Sequence, residues 1–589
     1  MQVAPIDPEI SADITKFDQM LAEHLAGRVD EDGFRVFRLN NGIYGQRQGG
    51  HNQMVRVKVP YGTVTADQLE VLGDIADRYS RGWGHLTTRQ NVQFHFVQLE
   101  KVSALLRELA AVGLTTREAC GDTVRNVMAC HLAGACPVEV LDVSPWAEAT
   151  FRHFLRHPYA QRLPRKFKIN FSGCVRDCGQ AMCNDVGVVA VSRLRPSGSV
   201  ETGFRVFLGG GLGANPHPSQ ALEDFTAREH LLATIEAVLR TFDHYGNRDN
   251  KLRARLKWVV DELGIAEVRR RVLRERRLLV ASASWPGGIP RIVTELGDAP
   301  AGTGEHVTPV GMPVTLRSGV DQDPYQRWRL ANVVTGVATG TLSAICRVRL
   351  GDVTAEQFRA LARIVRDLGA DVRITNRQNL ALRGLRSEQL PDLHRRLEAI
   401  AMAEPSAELA GDVVSCPGAD TCNLAVTQSR GLADDIGRAL DAAGLADVGG
   451  VRINVSGCTN SCGQHHVADL GFHGVERRAR GRSAPGYQLL VGGHLGDTEA
   501  HFGQRVLRLP ARTAAEATVR LVGRFAEERE PGETFAVWVQ RVGGAKALAG
   551  DLRDLDVWPD PTDNPDYYVD FGETGPYSAE VGEGECAAS

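Results

Sequence analysis

Apolar and polar residues follow short periodic runs that predict a defined order of strands and helices. MVRVKVPYG, from Met54, alternates with a period of two and ends in a turn, which predicts a short strand. The segment from Thr65 has apolar residues at helical spacing, with Thr65 as the predicted N-cap and Gln68 completing a capping box. HLTTRQNVQFHFV, from His85, predicts a returning strand, and VSALLRELAAVG, from Val102, a further helix. This order predicts a small α+β half-domain.

The pattern occurs twice. Three segments recur in the same order and at similar spacing: GTVTADQLEVLGDIADRYSRGWGHLTTRQNVQF from Gly62 matches GDVTAEQFRALARIVRDLGADVRITNRQNLAL from Gly351, KINFSGCVRDCGQ from Lys168 matches RINVSGCTNSCGQ from Arg452, and FLGGGLG from Phe207 matches LVGGHLG from Leu490. A helical stretch from Glu229 to Gly264 closes the first half, and a Pro/Gly-rich link that begins WPGGIPR separates the halves. We expect the duplicated unit to pack with pseudo-twofold symmetry, with a cofactor at the junction taking groups from both halves.

Length and charge narrow the class of protein. A chain of 589 residues is too long for one hydrophobic core, so we expect three or four domains. A net charge of −4 gives no bulk attraction to nucleic acid or to an anionic membrane, and RRRVLRERR (Arg269 to Arg277) is interpreted as the solvated face of a helix. No apolar stretch is long enough to span a bilayer, and the N-terminus is not typical of a targeting segment. We therefore expect a cytoplasmic protein.

Cysteines carry the most specific chemistry. Twelve of them in a cytosolic chain favour metal binding or catalysis over disulfides. Four lie in the second half as a C-x5-C pair, Cys416 and Cys422, and a C-x3-C pair, Cys458 and Cys462. Four thiolates suit a 4Fe–4S cube, and C-x5-C falls outside the C-x2-4-C spacing of structural zinc sites. Buried, unreactive core cysteines are the remaining alternative.

The first half contains the same spacing, with Cys130 and Cys136 as C-x5-C and Cys174 and Cys178 as C-x3-C. Two interpretations compete. This quartet holds a second 4Fe–4S cluster that relays electrons, or it consists of buried and inert thiols. We favour a metal site, because four cysteines at matched spacing would otherwise remain reactive.

Cations lie near predicted strand ends of the first half: Arg89 in LTTRQNVQ, Arg125 in TVRNVMAC, and Lys166 and Lys168 in LPRKFKINF. If RKFKINF is a strand, the two lysines share one face and repel each other unless an anion lies between them. Composition alone favours the alternative, in which lysines guard a solvated strand edge. The duplication favours the anion site, because the second copy has Gly450 and Gly411 at the positions of Lys166 and Arg125.

Together, the Cys416-x5-Cys422 and Cys458-x3-Cys462 pairs with TTRQ, RNV and LPRKFK resemble the sirohaem-dependent sulfite and nitrite reductases, from about Gly42 to about Gly544. The resemblance implies an α+β fold of two ferredoxin-like half-domains and two larger domains around a pseudo-twofold axis, with sirohaem and a 4Fe–4S cluster. It implies that Cys416, Cys422, Cys458 and Cys462 hold the cluster, and that Cys462 also bridges to the sirohaem iron. Arg89, Arg125, Lys166 and Lys168 would be the catalytic residues at the anion, while Arg56, Thr88, Gln90 and Asn460 would contact sirohaem.

The domains that follow from this architecture are an N-terminal arm with the first half-domain (1–115), the first sirohaem/Fe–S-type domain (116–290), a linker with the second half-domain (291–405), the second sirohaem/Fe–S domain (406–555) and an acidic tail (556–589). The tail contains several Pro, Gly and Tyr residues, and we interpret it as an extended or partly disordered arm.

The two lysines resemble the sulfite branch of the family, since plant-type nitrite enzymes tend to carry Asn at the position of Lys168. We therefore predict the six-electron reduction of sulfite to sulfide in assimilatory sulfur metabolism, with reduction of nitrite to ammonia as the alternative. No flavin or nicotinamide segment is visible, so electrons would come from an external ferredoxin or a separate flavoprotein. A non-catalytic redox or metal-binding protein would need no such set of cations.

Overall fold

A computed structural model describes residues 6–282, 285, 323–336, 340–496, 499–579, 581, 582 and 585. Most of the Pro/Gly-rich link between the halves lies outside these residues. Four five-stranded sheets organise the described chain, two in each half. The duplicated α+β fold predicted from the sequence is confirmed.

The first half begins with two helices and the half-domain, and continues with the larger unit. Its elements are α1 (Pro8–Leu25), α2 (Glu31–Asn40), β1 (Ile43–Gly45), β2 (Asn52–Val57), β3 (Thr63–Val64), α3 (Ala66–Tyr79), β4 (Trp83–Leu86), β5 (Val92–Gln98), α4 (Val102–Ala111), β6 (Met128–Ala129), α5 (Ser144–Phe154), β7 (Ile169–Ser172), β8 (Val186–Leu194), β9 (Val200–Leu208), β10 (Gln220–Thr226), α6 (Leu231–Tyr245), α7 (Leu256–Leu263) and α8 (Ile265–Ala281).

The second half repeats this order. Its elements are α9 (Pro324–Asn332), β11 (Val333–Thr335), β12 (Leu342–Cys346), β13 (Asp352–Thr354), α10 (Ala355–Leu368), β14 (Asp371–Ile374), β15 (Leu380–Leu385), α11 (Leu390–Glu398), β16 (Val414–Ser415), α12 (Ser429–Ala442), β17 (Ile453–Ser456), β18 (Leu470–Ala479), β19 (Arg482–Val491), β20 (His494–Gly496), β21 (Glu499–His501), β22 (Gln504–Pro510), α13 (Ala514–Glu528), α14 (Phe535–Arg541) and α15 (Gly544–Asp551).

The helix of the first half-domain starts as predicted, and the helix of the second half-domain starts in the same way. Thr65 caps α3 and forms a capping box with Gln68, and Thr354 with Gln357 does the same for α10. The segment from His85 is not one strand, however. It forms β4, a turn at residues 87–91, and β5, because Thr87 Oγ1 accepts hydrogen bonds from the N–H groups of Arg89 and Asn91 and closes the turn.

The two half-domains exchange edge strands. β3 from the first half pairs with β14, and β13 from the second half pairs with β4. Helices α3 and α10 pack against each other, and one continuous hydrophobic core spans both half-domains. The half-domains are therefore one structural unit built around the pseudo-twofold relation.

Each larger unit has its own core and a mixed sheet. The order is β6-β7-β8-β9-β10 in the first half and β16-β17-β18-β19-β22 in the second. The first three strands of each sheet are parallel, so their carboxyl ends lie at one edge, and the cysteine loops follow those ends.

The tail is extended but attached. Gln428 N–H donates to Asp570 Oδ2 (2.9 Å), Tyr577 OH donates to Val426 O (2.9 Å), and Gly582 N–H donates to Asn423 O (2.9 Å). The tail thus covers the chain that follows Cys422.

Candidate active site

The quartet of Cys416, Cys422, Cys458 and Cys462 lies on two neighbouring loops. Cys416 directly follows β16, and its N–H donates to Val455 O of β17 (3.2 Å). Gly457 lets the loops approach, because a Cβ there would lie 2.8 Å from Thr427 O and 2.9 Å from Gly418 Cα.

Backbone N–H groups are directed at the sulfurs. Gly457 N–H donates to Cys416 Sγ (3.3 Å), and the N–H groups of Leu424 and Asn460 hydrogen-bond to Cys422 and Cys458. Burial raises the pKa of Cys416 and Cys458, and raises that of Cys422 to about 12. Burial raises the pKa of any enclosed thiol, including Cys346, so the feature that fits a metal centre is the set of backbone N–H donors, which favour the thiolate forms.

The spread of the sulfurs favours a cluster over zinc. Among the described residues, His153, His157 and Glu236 have potential metal-binding atoms that all lie within 4.8 Å of one another. In the described chain, no three sulfurs of either cysteine quartet lie that close together. Zinc at about 2.3 Å from each sulfur would hold four thiolates closer together than this. A 4Fe–4S cube binds one thiolate at each iron and needs the wider spacing.

The turn of the first half-domain meets this quartet from the other half of the chain. Thr88 Oγ1 donates to Cys462 O (2.8 Å), and Cys462 itself is exposed. Gln90, with a φ of 57°, turns inward and donates to Ala129 O (2.9 Å) and Ile374 O (3.0 Å). The structure therefore brings Thr88 and Gln90 to the junction of the halves.

Arg89 lies next to Thr88 and is held by three asparagines. Its Nη1 donates to the Oδ1 atoms of Asn170 (3.1 Å) and Asn184 (3.3 Å), and its Nη2 donates to Asn126 O (2.7 Å). Burial and the nearby Arg125 lower the pKa of Arg89 to about 9. These uncharged partners position the guanidinium without neutralising it.

Lys168 joins the same group. Its pKa is lowered well below its usual value by burial and by the charges of Arg89, Arg255 and Lys166. Regular strand β7 begins at Ile169, while Phe167 makes an isolated bridge to Val124 and is buried between the two half-buried lysines. The lysines flank one inward-facing residue, which agrees with a common side for both.

Two further predicted residues lie beside this group. Arg125 is nearly buried and donates to Gly121 O and Ala119 O. Arg56 Nη1 donates to the same Ala119 O (3.2 Å) and to Cys120 Sγ (3.1 Å). Asn460 differs, since it is exposed on the loop of Cys458, and its backbone is what approaches that sulfur.

In the second half, acidic side chains neutralise the arginines that match Arg89 and Lys168. Arg377 corresponds to Arg89, but its Nε lies 3.3 Å from Glu408 Oε2 and 3.7 Å from Asp412 Oδ2. Arg452 corresponds to Lys168 and pairs with Asp469 (3.0 Å). One side of the pseudo-twofold relation therefore keeps an excess of positive charge, and the other does not.

Sequence reasoning missed the asparagines around Arg89 and the cations Arg255 and Lys257. Arg255 Nη2 pairs with Asp185 Oδ2 (2.7 Å), whose carboxylate also accepts the Lys168 N–H (2.9 Å). Burial, followed by Arg255, lowers the pKa of Lys257 to about 8. The repeat could have pointed to Asp185, because Asp185 lies beside Lys168 as Asp469 lies beside Arg452.

Comparison with known families matches both halves. The nitrite and sulphite reductase 4Fe-4S domain matches residues 120–278 and 408–550, and the nitrite/sulfite reductase ferredoxin-like half domain matches residues 44–112 and 337–400. The chain belongs to the nitrite and sulfite reductase family. It is an oxidoreductase of this family and carries the family's cofactors, a 4Fe–4S cluster and sirohaem.

The proteins similar to this chain include a nitrite reductase and a sulfite reductase. The assimilatory ferredoxin-dependent nitrite reductase of Haloferax mediterranei is 31% identical over 85% of this chain and 84% of its own. The sulfite reductase [ferredoxin] of Mycobacterium tuberculosis is 29% identical over 85% of this chain and 87% of its own. The structure of the M. tuberculosis NirA protein superposes with a TM-score of 0.73 at 27% identity, covering 92% of this chain and 98% of that one.

A membrane-crossing helix is not found in the described part of this reductase, since none of its helices combines the necessary length with an apolar surface.

Proposed function

We propose that this reductase converts sulfite to sulfide in six one-electron steps, with reduced ferredoxin as the donor. The observation that supports sulfite is the pair of lysines, Lys166 and Lys168, grouped with Arg89 beside the turn that contacts Cys462. A dianion gains more from several cations than nitrite does. The names of the Haloferax and Mycobacterium relatives support ferredoxin.

When bound, the cofactors would supply electrons and the iron at which the anion is reduced, and the protein would supply the charges around it. Cys416, Cys422, Cys458 and Cys462 would hold the cluster, and Cys462 would be the ligand nearest the sirohaem. Its loop is exposed and fixed by Thr88, which fits a thiolate presented to a second group. The basic side chains Arg56 and Arg125 would meet carboxylates of the macrocycle or the anion.

Arg89 and Lys168 would bind the anion and hold protons near its oxygens. Both have lowered pKa values, so each gives up a proton more readily than an exposed arginine or lysine. A bound anion would favour the protonated forms of Arg89 and Lys168. Each oxygen that leaves the anion would take up protons from these side chains. The asparagines around Arg89 would keep the guanidinium in place during these steps.

Substitution Lys168→Asn tests the choice of anion. We expect kcat/KM for sulfite to fall about tenfold or more, equivalent to about 1.4 kcal/mol, and kcat/KM for nitrite to fall less than about threefold. Steady-state assays with a reduced dye and with reduced ferredoxin would measure both.

Lys101→Asn provides the matched control, because it makes the same change at an exposed lysine that is not among the charges acting on Lys168 or Arg89. Equal losses on sulfite and nitrite in Lys168→Asn would contradict the sulfite assignment and favour a nitrite reductase. Activity with the dye but none with ferredoxin would contradict the donor.

A further inference from the structure

The first half contains a second cysteine quartet, made of Cys130, Cys136, Cys174 and Cys178, on loops equivalent to those of the active-site quartet. Cys130 directly follows β6 as Cys416 follows β16, and its N–H donates to Phe171 O of β7 (3.1 Å). Cys174 follows β7 as Cys458 follows β17. Both quartets therefore start from the same edge of equivalent parallel strands.

The hydrogen bonds to sulfur repeat as well. In the first quartet, the N–H groups of Leu132, Val138 and Arg176 hydrogen-bond to the sulfurs of the cysteines two residues before them. In the second quartet, Gly418, Leu424 and Asn460 hold the same relation to Cys416, Cys422 and Cys458. The donors therefore lie at matched positions, and in both quartets they favour the thiolate forms that a cluster needs.

The pseudo-twofold partner of the Thr88 contact is also present. Asn376, the residue that corresponds to Thr88, donates through Nδ2 to Cys178 O (2.7 Å), while Thr88 donates to Cys462 O (2.8 Å). The fourth cysteine of each quartet is thus fixed from the opposite half. Cys178 is exposed in the same way as Cys462.

The surroundings of the two quartets differ in charge. Near Cys178, Arg377 is paired with Glu408 and Asp412, and Arg452 is paired with Asp469. Asp412 stands where the first half has the neutral Asn126, since each residue's carbonyl accepts from the equivalent arginine. The counterparts of Arg89 and Lys168 are therefore neutralised there, which disfavours an anionic substrate at that pair of positions.

The loops of the two quartets touch. Gln180 and Gln464, each two residues after the fourth cysteine, exchange side-chain hydrogen bonds of 2.6 and 2.7 Å. A path of bonded and hydrogen-bonded atoms therefore runs from Cys178 through these glutamines to Cys462.

We propose that Cys130, Cys136, Cys174 and Cys178 hold a second 4Fe–4S cluster that relays electrons and binds no substrate. It would gain one electron as a reduced one-electron donor protein is oxidised, and lose that electron to the active-site cluster. This inference goes beyond the proposed reaction, which needs only the cluster at Cys416, Cys422, Cys458 and Cys462.

Iron and acid-labile sulfide per chain in anaerobically purified protein test the proposal directly. With one sirohaem bound, we expect about nine irons and about eight sulfides for two clusters, against about five irons and four sulfides for one. The double variant Cys136→Ser/Cys174→Ser should lose about four irons while keeping the visible absorption of sirohaem. Its turnover with ferredoxin should fall more than its turnover with a small dye.

Cys346→Ser is the matched control, because Cys346 is buried in β12 outside both quartets, and it should keep all irons. About five irons in the unaltered protein would overturn the proposal whether or not the double variant folds. So would a Cys130–Cys178 disulfide detected by mass spectrometry, since these two thiols hydrogen-bond to each other. Nine irons without sulfite turnover would instead contradict the proposed reaction and leave the second cluster standing.

Discussion

At the residue scale, the proposed anion site depends on Arg89, a cation whose direct hydrogen-bond partners are uncharged. Arg89 is held by amide and carbonyl oxygens, whereas its counterpart Arg377 is held by carboxylates. The change from Asn126 to Asp412 between the copies accounts for part of this difference. Glu408, the nearer of the two acids to Arg377, contributes to the rest.

The lowered pKa of Lys168 gives a testable pH dependence. Its usual value is 10.5, and burial together with Arg89, Arg255 and Lys166 lowers it, while Asp185 opposes the shift. The protonated form would bind the anion, so kcat/KM should fall as pH rises through a range below the usual lysine value of 10.5. Sulfite is the suitable substrate for this profile, because its turnover is expected to depend most on Lys168, and above neutrality it is already the dianion.

In Lys168→Arg, the charge persists at higher pH because arginine stays protonated, so the falling limb should move to higher pH. Lys101→Arg should leave the profile unchanged. Coincident profiles for Lys168→Arg and the unaltered protein would show that Lys168 is not the titrating group.

Sequence could find the charged residues and the cysteines, but not the residues that position them. The repeat singled out Lys166 and Arg125, because the second copy has Gly450 and Gly411 at these positions. Asn170, in contrast, matches Asn454, and both amides donate to a glycine carbonyl at 2.8 and 2.7 Å. The additional acceptance from Arg89 Nη1 depends on tertiary contact and leaves no mark on the sequence.

At the element scale, the site is made by turns rather than by strands. The predicted strand from His85 is interrupted because Thr87 Oγ1 competes with the ladder for backbone N–H groups. The second copy makes the same turn through Thr375. The alternating pattern around TTRQ is compatible with continuous strand, so periodicity alone could not place this break.

Gly457 offers a test of how closely the cysteine loops must approach. In Gly457→Ala, the added methyl would clash with Thr427 O and Gly418 Cα at 2.8 and 2.9 Å, both of them backbone atoms. We expect the variant to lose most of the active-site cluster, with a lower iron content and lower turnover.

Gly173→Ala is the matched change in the first half, where the added Cβ would meet its nearest neighbour, Leu141 O, at 3.1 Å. Its effect on iron content should be smaller. Equal iron content in Gly457→Ala and the unaltered protein would show that the loops can separate without loss of the cluster.

At the scale of the whole molecule, neither half can complete its half-domain sheet or its hydrophobic core without the other. β3 and β13 each extend the sheet of the opposite half-domain, and the shared core contains residues from both. The repeat predicted pseudo-twofold packing, but an exchange of edge strands cannot be read from it. A two- or three-residue strand has the same sequence pattern whichever sheet it joins.

This exchange predicts the behaviour of a divided chain. We expect residues 1–300 and 301–589, produced separately, to be poorly soluble and to bind no sirohaem, because β4 and β14 would each expose an unpaired sheet edge and the shared core would be opened. Produced together, the two fragments should assemble and recover sirohaem absorption and turnover, because every described contact between the halves is non-covalent. Co-purification through a tag on one fragment, with the visible spectrum of the product, measures this.

The pairing of the exchanged strands should drive assembly of the two fragments, so a change that disrupts this pairing should reduce it. Val64→Pro in the first fragment replaces a buried residue of β3 that pairs with Val372 of β14, and proline cannot supply the backbone N–H that a ladder uses. It should reduce recovery of the complex, whereas Leu252→Pro, at an exposed position of the same fragment, should not. Two fragments that each bind sirohaem alone, or that assemble equally well with Val64→Pro, would mean that the halves are separate folding units and that their exchanged strands are incidental to the site.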